Sequence, residues 1–199
     1  MACCSKLVCD GCAHANKIRE IEGKLSLKCP FCRTPVPSTV EARDKMMMKR
    51  IGANDPVMIR QEGILQQNEG DYNSAFEYFT KAAELGNADA HYHLAALYRD
   101  GHGVEKDKQK EVHHLELAAI GGHHTARYNL GIEEGNYGNA ERAVKHFIIA
   151  AKQGYDNSIK PLMPAYRNGL ISKEDLAAVL RAHQAAIDAT KSPQRDTAE

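Results

Sequence analysis

Three short segments of nearly the same pattern recur along this 199-residue chain. Each has two adjacent alanines and then, three residues after the second alanine, a glycine. The segments are Lys81-Ala-Ala-Glu-Leu-Gly-Asn87, Leu117-Ala-Ala-Ile-Gly-Gly-His123 and Ile149-Ala-Ala-Lys-Gln-Gly-Tyr155, and their starts differ by 36 and then 32 residues. A period of this length is typical of stacked helical hairpins. Each segment is interpreted as a helix end, with alanines on the packing face and a glycine in a left-handed cap.

Apolar residues at helical spacing lie before each of these segments. One set is Tyr72, Ala75, Phe76, Phe79, Ala82 and Ala83, and another is Ala143, Phe147, Ala150 and Ala151. The helices before them carry Ala90, Leu94, Leu97 and Tyr98, then Ala126, Leu130 and Gly131. Each hairpin is too thin to bury its own apolar face, so the pattern predicts that neighbouring hairpins stack.

The second repeat has the most specific pattern. Ala90-His-Tyr-His-Leu-Ala-Ala-Leu-Tyr98, the turn Gly101-His-Gly-Val104, and then Ala118-Ala119 with Gly122 resemble a Sel-one-like repeat, a relative of the tetratricopeptide repeat. The resemblance implies a curved array that binds and scaffolds proteins and performs no catalysis.

The domain boundaries follow from these patterns. We expect a linker at 46–54, the Sel-one-like helical repeat array at 55–190 and a polar tail at 191–199. Residues 156–189 are predicted to be a degenerate last hairpin, because Pro161 and Pro164 weaken its first helix. Its second helix is predicted to pack through Leu176, Val179, Leu180, His183 and Ile187.

All six cysteines lie within the first 32 residues, at Cys3, Cys4, Cys9, Cys12, Cys29 and Cys32. Two pairs have the spacing C-x2-C, and sixteen residues separate the pairs. This spacing is typical of structural zinc sites. A disulfide framework is the alternative, but clustered thiols without a hydrophobic signal region favour metal in a reducing compartment. The sequence therefore predicts that residues 1–45 form a zinc-stabilised module.

This cysteine-rich head resembles a RING finger without its first pair of ligands. That family holds two zinc ions in a cross-brace of eight ligands, and the six cysteines match the last six. Cys29-Pro30-Phe31-Cys32-Arg33 is similar to the family's closing knuckle. The resemblance implies that all six cysteines bind metal and that Arg33 helps to position ubiquitin. Between the knuckles, residues 13–22 are expected to form a short helix with Ile18 and Ile21 facing inward.

Two ligand arrangements remain open for the head. In the cross-brace, Cys3 and Cys4 share one zinc ion with Cys29 and Cys32, and Cys9 and Cys12 keep half of the other site. In a zinc-ribbon arrangement, Cys9, Cys12, Cys29 and Cys32 hold one ion tetrahedrally. The absent first pair indicates a fragment of a longer protein or a natural half-module. We expect the chain as given to be a weak ubiquitin ligase at most.

The overall charge narrows the class of partner. Lys and Arg together number 26, and so do Asp and Glu together. This balance gives no electrostatic reason to expect nucleic acid or an anionic membrane as a binding partner. No apolar run approaches the roughly 20 residues that a membrane span requires. We expect a protein partner in the concave groove of the array, and an intracellular location, cytoplasmic or nuclear.

Together these patterns predict an all-α fold, a helical-hairpin repeat solenoid with a small N-terminal zinc-stabilised RING-like module. By resemblance, the function is that of a ubiquitin-ligase component whose head engages a conjugating enzyme while the array holds a partner. Such a ligase acts by positioning reactants. The alternative is a non-enzymatic protein–protein interaction adaptor. No catalytic residue is assigned in either case.

The ten histidines include the pairs His113-His114 and His123-His124, and His91 lies close to His93. A second metal site is one interpretation of these pairs. Exposed helix and turn positions are the other, and they are favoured because no cysteine or carboxylate frames the pairs at ligand spacing.

The cysteine spacing generates a metal-content prediction. Protein purified under reducing conditions should carry at least one zinc ion per chain by elemental analysis. Chelation should unfold only the head, because the energy of a structural zinc ion is folding energy for so small a module, and circular dichroism should lose little helical signal.

Two serine variants separate the ligand arrangements. Cys4→Ser should lower zinc content nearly as much as Cys32→Ser in the cross-brace, and should leave it unchanged in the zinc ribbon. A chain with free thiols and no zinc would contradict both arrangements.

Overall fold

The computed structural model describes residues 39–189 and, before them, the single positions Lys17, Ile18, Ile21, Gly23, Lys28, Pro35 and Pro37. The six cysteines and Arg33 lie outside the described residues, so the zinc module stays a prediction. The chain divides into two compact units, one comprising residues 1–59 with 190–199 and the other residues 60–189.

Two features of the head are described. Lys28 and Pro35 form an isolated antiparallel bridge. Ile18 and Ile21 are helical, but their side chains are 40% and 58% exposed. The prediction that they face inward is therefore wrong, and no buried side chain occurs among the described residues of the head.

The described part of the chain from Thr39 onward is helical. The helices are α1 (Val40–Gly52), α2 (Pro56–Glu69), α3 (Tyr72–Glu84), α4 (Ala88–Asp100), α5 (Lys108–Ile120), α6 (His124–Asn136), α7 (Ala140–Lys152), α8 (Ile159–Arg167) and α9 (Lys173–Asp188). From α3 onward each helix packs on the next, and α9 also packs on α7. The predicted all-α solenoid is confirmed, and none of the described helices is long and apolar enough to cross a bilayer.

Short polar side chains fix where most of these helices begin. The residue before the helix accepts a hydrogen bond from the backbone N–H three positions later, at Thr39, Asp71, Asn87, Asp107 and Ser172. This bond satisfies one of the donors that a helix leaves free at its start, and each such cap contributes about 1 kcal/mol.

The alanine–alanine–glycine segments end the second helices of the hairpins, as predicted. Gly86, Gly122 and Gly154 have φ values of 83°, 90° and 87°. The residue after each glycine donates its N–H to the carbonyl of the first alanine, as His123 does to Ala118 at 3.0 Å. This closes the helix and reverses the chain, and glycine is favoured because φ is positive. The alanines before the glycines are all buried.

A small residue on the first helix of a hairpin faces a large residue on the second. A Cβ atom added to Gly63 would lie 2.7 Å from Phe79 Cε1, and one added to Gly131 would lie 2.6 Å from Phe147 Cε1. In the middle hairpin the corresponding residues are Ala95 and Leu115, which pack in one buried cluster. The side-chain volume that is missing on the first helix is thus supplied by the second helix, and the backbones of the two helices approach closely.

The longer turn of the second hairpin reaches back to the hairpin before it. Gly103 has a φ of 71°, and a Cβ atom there would lie 2.7 Å from the carbonyl carbon of Tyr72. The ring of His102, the residue before Gly103, stacks on the ring of Tyr72 with 4.4 Å between ring centroids. The Gly-x-Gly pattern is therefore required by a close backbone approach as well as by the turn itself.

The last hairpin is degenerate, as predicted. Its first helix, α8, has nine residues and contains Pro164, whereas α9 has sixteen. His183 on α9 is buried and contacts the carbonyl oxygen of Ala151 through Nδ1 at 2.9 Å. Leu180, predicted on the packing face, is 38% exposed, while Ile171 before the helix is buried.

The paired volumes generate a stability prediction. Gly131→Ala should destabilise the fold by about 1–2 kcal/mol, because overpacking against Phe147 outweighs the higher helix propensity of alanine. Adding Phe147→Leu should recover most of the loss, since alanine opposite leucine is the combination of the middle hairpin. The measurement is urea unfolding followed by circular dichroism.

Gly135→Ala is the matched control, because it lies on the same helix and its added Cβ atom would meet Ala143 Cβ at 3.9 Å, an ordinary contact. It should not lose stability. Equal losses in Gly131→Ala and Gly135→Ala would contradict the packing account.

Candidate protein-binding cleft

The predicted metal ligands Cys3, Cys4, Cys9, Cys12, Cys29 and Cys32, and the candidate ubiquitin-positioning residue Arg33, are all outside the described residues. In the part of the chain that the structure describes, no group of three or more potential ligands is arranged to hold a metal ion. The zinc site and its two alternative ligand sets therefore remain predictions. The described residues of the array offer a site of a different kind, a cleft between helices.

Two exposed apolar side chains mark one cleft of the array. Ile120, at the end of α5, is 78% exposed, and Tyr137, just after α6, is 66% exposed. These are the highest values among the large apolar side chains of the described residues. Both line a cleft of about 410 Å³ bounded by α5, α6 and α7. Apolar surface of this kind is often covered by a binding partner.

Two nitrogen atoms in the lining of the cleft lack hydrogen-bond partners. Arg127 on α6 donates from Nη2 to the carbonyl oxygen of Ala119 at 2.8 Å. Its Nε atom is buried and has no partner, and the same is true of Nδ1 of His146 on α7. Buried polar atoms are normally satisfied, and the other such exceptions include atoms of Arg60, Thr80 and Ser158, which lie outside the cleft.

The acidic groups of the cleft are mostly neutralised by nearby cations. Glu134 on α6 forms an ion pair with Arg142 at 2.7 Å, and Glu133 forms one with Lys108 at 2.6 Å. Asn139 also donates to Glu134, at 2.9 Å. These contacts join α5, α6 and the start of α7 around the cleft and hold its shape.

The preceding hairpin differs at one of the two unsatisfied positions and keeps a histidine at the other. Repeat spacing places His91 where α6 has Arg127, and His114 where α7 has His146. In the preceding hairpin the two rings satisfy each other, because Nδ1 of His91 and Nδ1 of His114 are 3.0 Å apart. The same fold thus holds a self-contained pair in one hairpin and an unsatisfied pair in the next.

Several histidines are packed among other rings. The expectation that the histidine pairs are exposed is wrong for His91, His114 and His123, which are half-buried, and correct for His113 and His124. His93, also half-buried, stacks on Phe79 at 4.5 Å, and His123 stacks on Tyr92 at 4.3 Å. An imidazole ring is flat and largely apolar on its faces, so it fills the space that an aromatic residue would fill.

This packing lowers several histidine pKa values. Burial is the main cause of a pKa of about 4 for His93, and the nearby Arg60 lowers it further. Burial and then His91 lower the pKa of His114, also to about 4. Burial, with Arg127, lowers the pKa of His146 in the cleft. These rings are therefore neutral at pH 7.

Sequence reasoning did not identify the cleft, although the repeats carry a signal. Ile120 occupies the position of Glu84 in the first repeat and of Lys152 in the third. Tyr137 occupies the position of Glu69, each lying one residue before a glycine with positive φ. An apolar residue thus replaces a charged one at two exposed helix ends, and comparison of the repeats position by position reveals both exchanges.

The lowered histidine pKa values predict a loss of stability in acid. The unfolded chain binds protons at His93 and His114 between pH 6.5 and about 4, and the folded chain does not. The stability due to the neutral rings is therefore complete above pH 6.5 and is lost as the pH falls towards 4. Urea unfolding at pH 7.5 and pH 5.0 measures it.

The double variant His93→Asn with His114→Gln should reduce this pH dependence, by on the order of 1 kcal/mol per site after allowance for solvent screening. Asparagine is the residue that the third repeat has at the position of His93. His113→Gln is the control, because His113 is exposed. Equal pH dependence in the parent and the double variant would contradict the assignment.

The repeats match a known family. The Sel1 repeat model matches residues 58–87, 88–123 and 124–155. These three segments contain the three alanine–alanine–glycine helix ends and correspond to the hairpins α2–α3, α4–α5 and α6–α7.

Curated relatives include DAP3-binding cell death enhancer 1 of Mus musculus, 26% identical over 167 residues, and that of Rattus norvegicus, 25% identical over 167 residues. Each match covers 64% of this chain and 33% of the relative. The chain therefore spans about a third of the length of these relatives.

Two solved structures have the same fold. A Sel1 repeat protein from Oxalobacter formigenes has a TM-score of 0.62 at 23% identity, with 88% of this chain and 72% of that chain covered. A protective antigen of uropathogenic Escherichia coli strains, which displays an SLR fold, has a TM-score of 0.57 at 21% identity, with 81% and 36% covered. Together with the family match, this shows that residues 58–155 of the chain are three Sel1 repeats.

Proposed function

We propose that this chain is a protein-binding scaffold whose Sel1 repeats hold a partner protein. The observation that carries the proposal is the convergence of Ile120 and Tyr137, both largely exposed, on one cleft. The cleft is open and lies at the junction of two hairpins, where a segment of another protein gains access to side chains from three helices. Covering the two apolar side chains would supply the main driving force for binding.

The curated relatives support a binding role. Their name describes binding of another protein, DAP3, by the relative. The matched region covers 64% of this chain. For this chain we take from the name the class of activity, which is association with a protein.

The finer role that we propose is that of a ubiquitin-ligase component. It is supported by the two C-x2-C pairs and by the resemblance of Cys29-Pro30-Phe31-Cys32-Arg33 to the closing knuckle of a RING finger. In this role the head binds zinc and engages a conjugating enzyme, and Arg33 helps to position ubiquitin while the array presents the partner. Zinc retention is a precondition, so a chain that holds no zinc under reducing conditions excludes it. The scaffold role alone, as a non-enzymatic adaptor, would then remain.

A chemical cross-linking experiment on the full chain tests the scaffold. The purified parent protein and the double variant Ile120→Ser with Tyr137→Ser are each incubated with extract of the source cells and cross-linked. Captured proteins are identified by mass spectrometry, and each candidate is purified and titrated by calorimetry. A partner that binds the parent and binds the double variant at least tenfold more weakly supports the proposal.

Ile149→Ser and Ile132→Ser are the controls. Ile149 on α7 is 41% exposed, Ile132 on α6 is 39% exposed, and neither lines the cleft. Ile149→Ser should bind like the parent. A partner lost only with Ile132→Ser would move the binding surface away from the cleft, and the recovery of no partner that binds the purified chain would overturn the scaffold role.

A further inference from the structure

We propose that the cleft between α5, α6 and α7 binds a short extended segment of a partner protein in which an acidic side chain lies next to a large apolar one. This proposal rests on the protein-binding role proposed above and adds the chemistry of the bound segment. It is carried by the free hydrogen-bonding capacity of Arg127, by the state of the neighbouring carboxylates, and by the two apolar side chains of the rim.

Arg127 supplies the polar part of the recognition. Its guanidinium group has five N–H donors, and the side-chain bond that the structure shows goes to a neutral carbonyl, that of Ala119. Nε is buried without a partner, and no carboxylate among the described residues forms an ion pair with this side chain. Nη1 is not among the buried unpaired atoms, and Arg127 lines the cleft. A carboxylate from outside can therefore approach the terminal nitrogen atoms, where a guanidinium edge offers two parallel hydrogen bonds.

The carboxylates already in the cleft do not fill this role. Glu133 and Glu134 form ion pairs with Lys108 and Arg142, and neither is paired with Arg127. Glu116 on α5 is exposed, lines the cleft and has no ion pair of its own among the described residues, so it would compete with an acidic segment. Neutralising Glu116 should therefore strengthen the binding of an acidic segment, whereas it should weaken the binding of a basic one. This opposite sign distinguishes the two kinds of segment.

Ile120 and Tyr137 supply the apolar part. They come from different hairpins and are the residues that replace Glu84 and Glu69 of the first repeat. Both line the cleft that Arg127 also lines. A large apolar side chain beside the acidic one would cover them while the carboxylate reaches Arg127, and the two contacts together select a pair of adjacent residues.

The cleft continues in both directions across the second helices. Towards α5 it shares Val112 and Glu116 with a neighbouring depression that includes His113. In the other direction it shares Asn139 and Arg142 with a depression that reaches Leu170, before α9. A surface that is open and continuous over three hairpins fits an extended polypeptide better than a compact small molecule.

The test uses a phage-displayed library of random heptapeptides selected on the full chain. The selected peptides should be enriched in aspartate or glutamate adjacent to a large apolar residue. Synthetic fluorescent copies are then titrated by polarisation. Arg127→Gln should weaken binding at least tenfold, Ile120→Ser at least threefold, and Glu116→Gln should tighten it about twofold. Ile149→Ser should leave the affinity unchanged.

Thermal unfolding of each variant shows whether it is folded. Ile120 is exposed, so Ile120→Ser keeps the test decisive if Arg127→Gln is unstable. Absence of enrichment, selection of basic peptides, or equal affinity for the parent and folded Arg127→Gln overturns the proposal. Free glutamate binding as tightly as the peptide also overturns it, because the site would then hold an anion only.

Self-association provides a further check on the occupant. If the chain alone dimerises at the peptide concentrations used, and Ile120→Ser abolishes the dimer, the occupant is a second copy of the chain and the proposal is overturned. If a cross-linked partner depends on Ile120 but the selected peptides are basic, the inference on acidic segments fails and the scaffold role survives. If neither a partner nor a peptide is found, both fail.

Discussion

The array depends on how closely the two helices of a hairpin can approach each other. In the first and third hairpins a glycine on the first helix leaves the space that a phenylalanine ring fills, and in the second an alanine faces a leucine. With few bulky residues per helix, the core is made of thin, well-matched layers that each need a neighbour to be complete. The capping side chains and the positive-φ glycines then fix where most of the helices begin and end.

Much of this architecture could be predicted from sequence because it is periodic. Each alanine pair is followed by a glycine, at Gly86, Gly122 or Gly154. The alanines are small because they are buried, and the glycines allow a left-handed backbone. Both features can be recognised from a few neighbouring residues. The weakened helix before α9 was predictable for the same reason, since Pro164 acts on its own helix. These short patterns recur once in each hairpin, so each copy can be compared with the others in the same chain.

The misjudged residues depend on the three-dimensional surroundings. His91 and His114 are 23 positions apart and satisfy each other across a hairpin, which polarity and spacing do not reveal. The cleft was missed because Ile120 and Tyr137 belong to different repeats, and each alone is an ordinary exposed apolar residue. The metal-binding prediction for the six cysteines lies outside the described residues, so it rests on spacing and resemblance.

The replacement of His91 by Arg127 at one repeat position has a consequence for how such arrays diversify. Backbone, caps and interhelical volumes are set at other positions, so the residue at this position differs between two hairpins that keep the same arrangement of helices. A structural contact in one hairpin becomes an unpaired polar side chain in the next through a single substitution on the first helix, while the histidine of the second helix is kept. One exchange on the first helix is therefore enough to turn an internal contact of this fold into an unpaired donor at the cleft, with no change in the length of any helix.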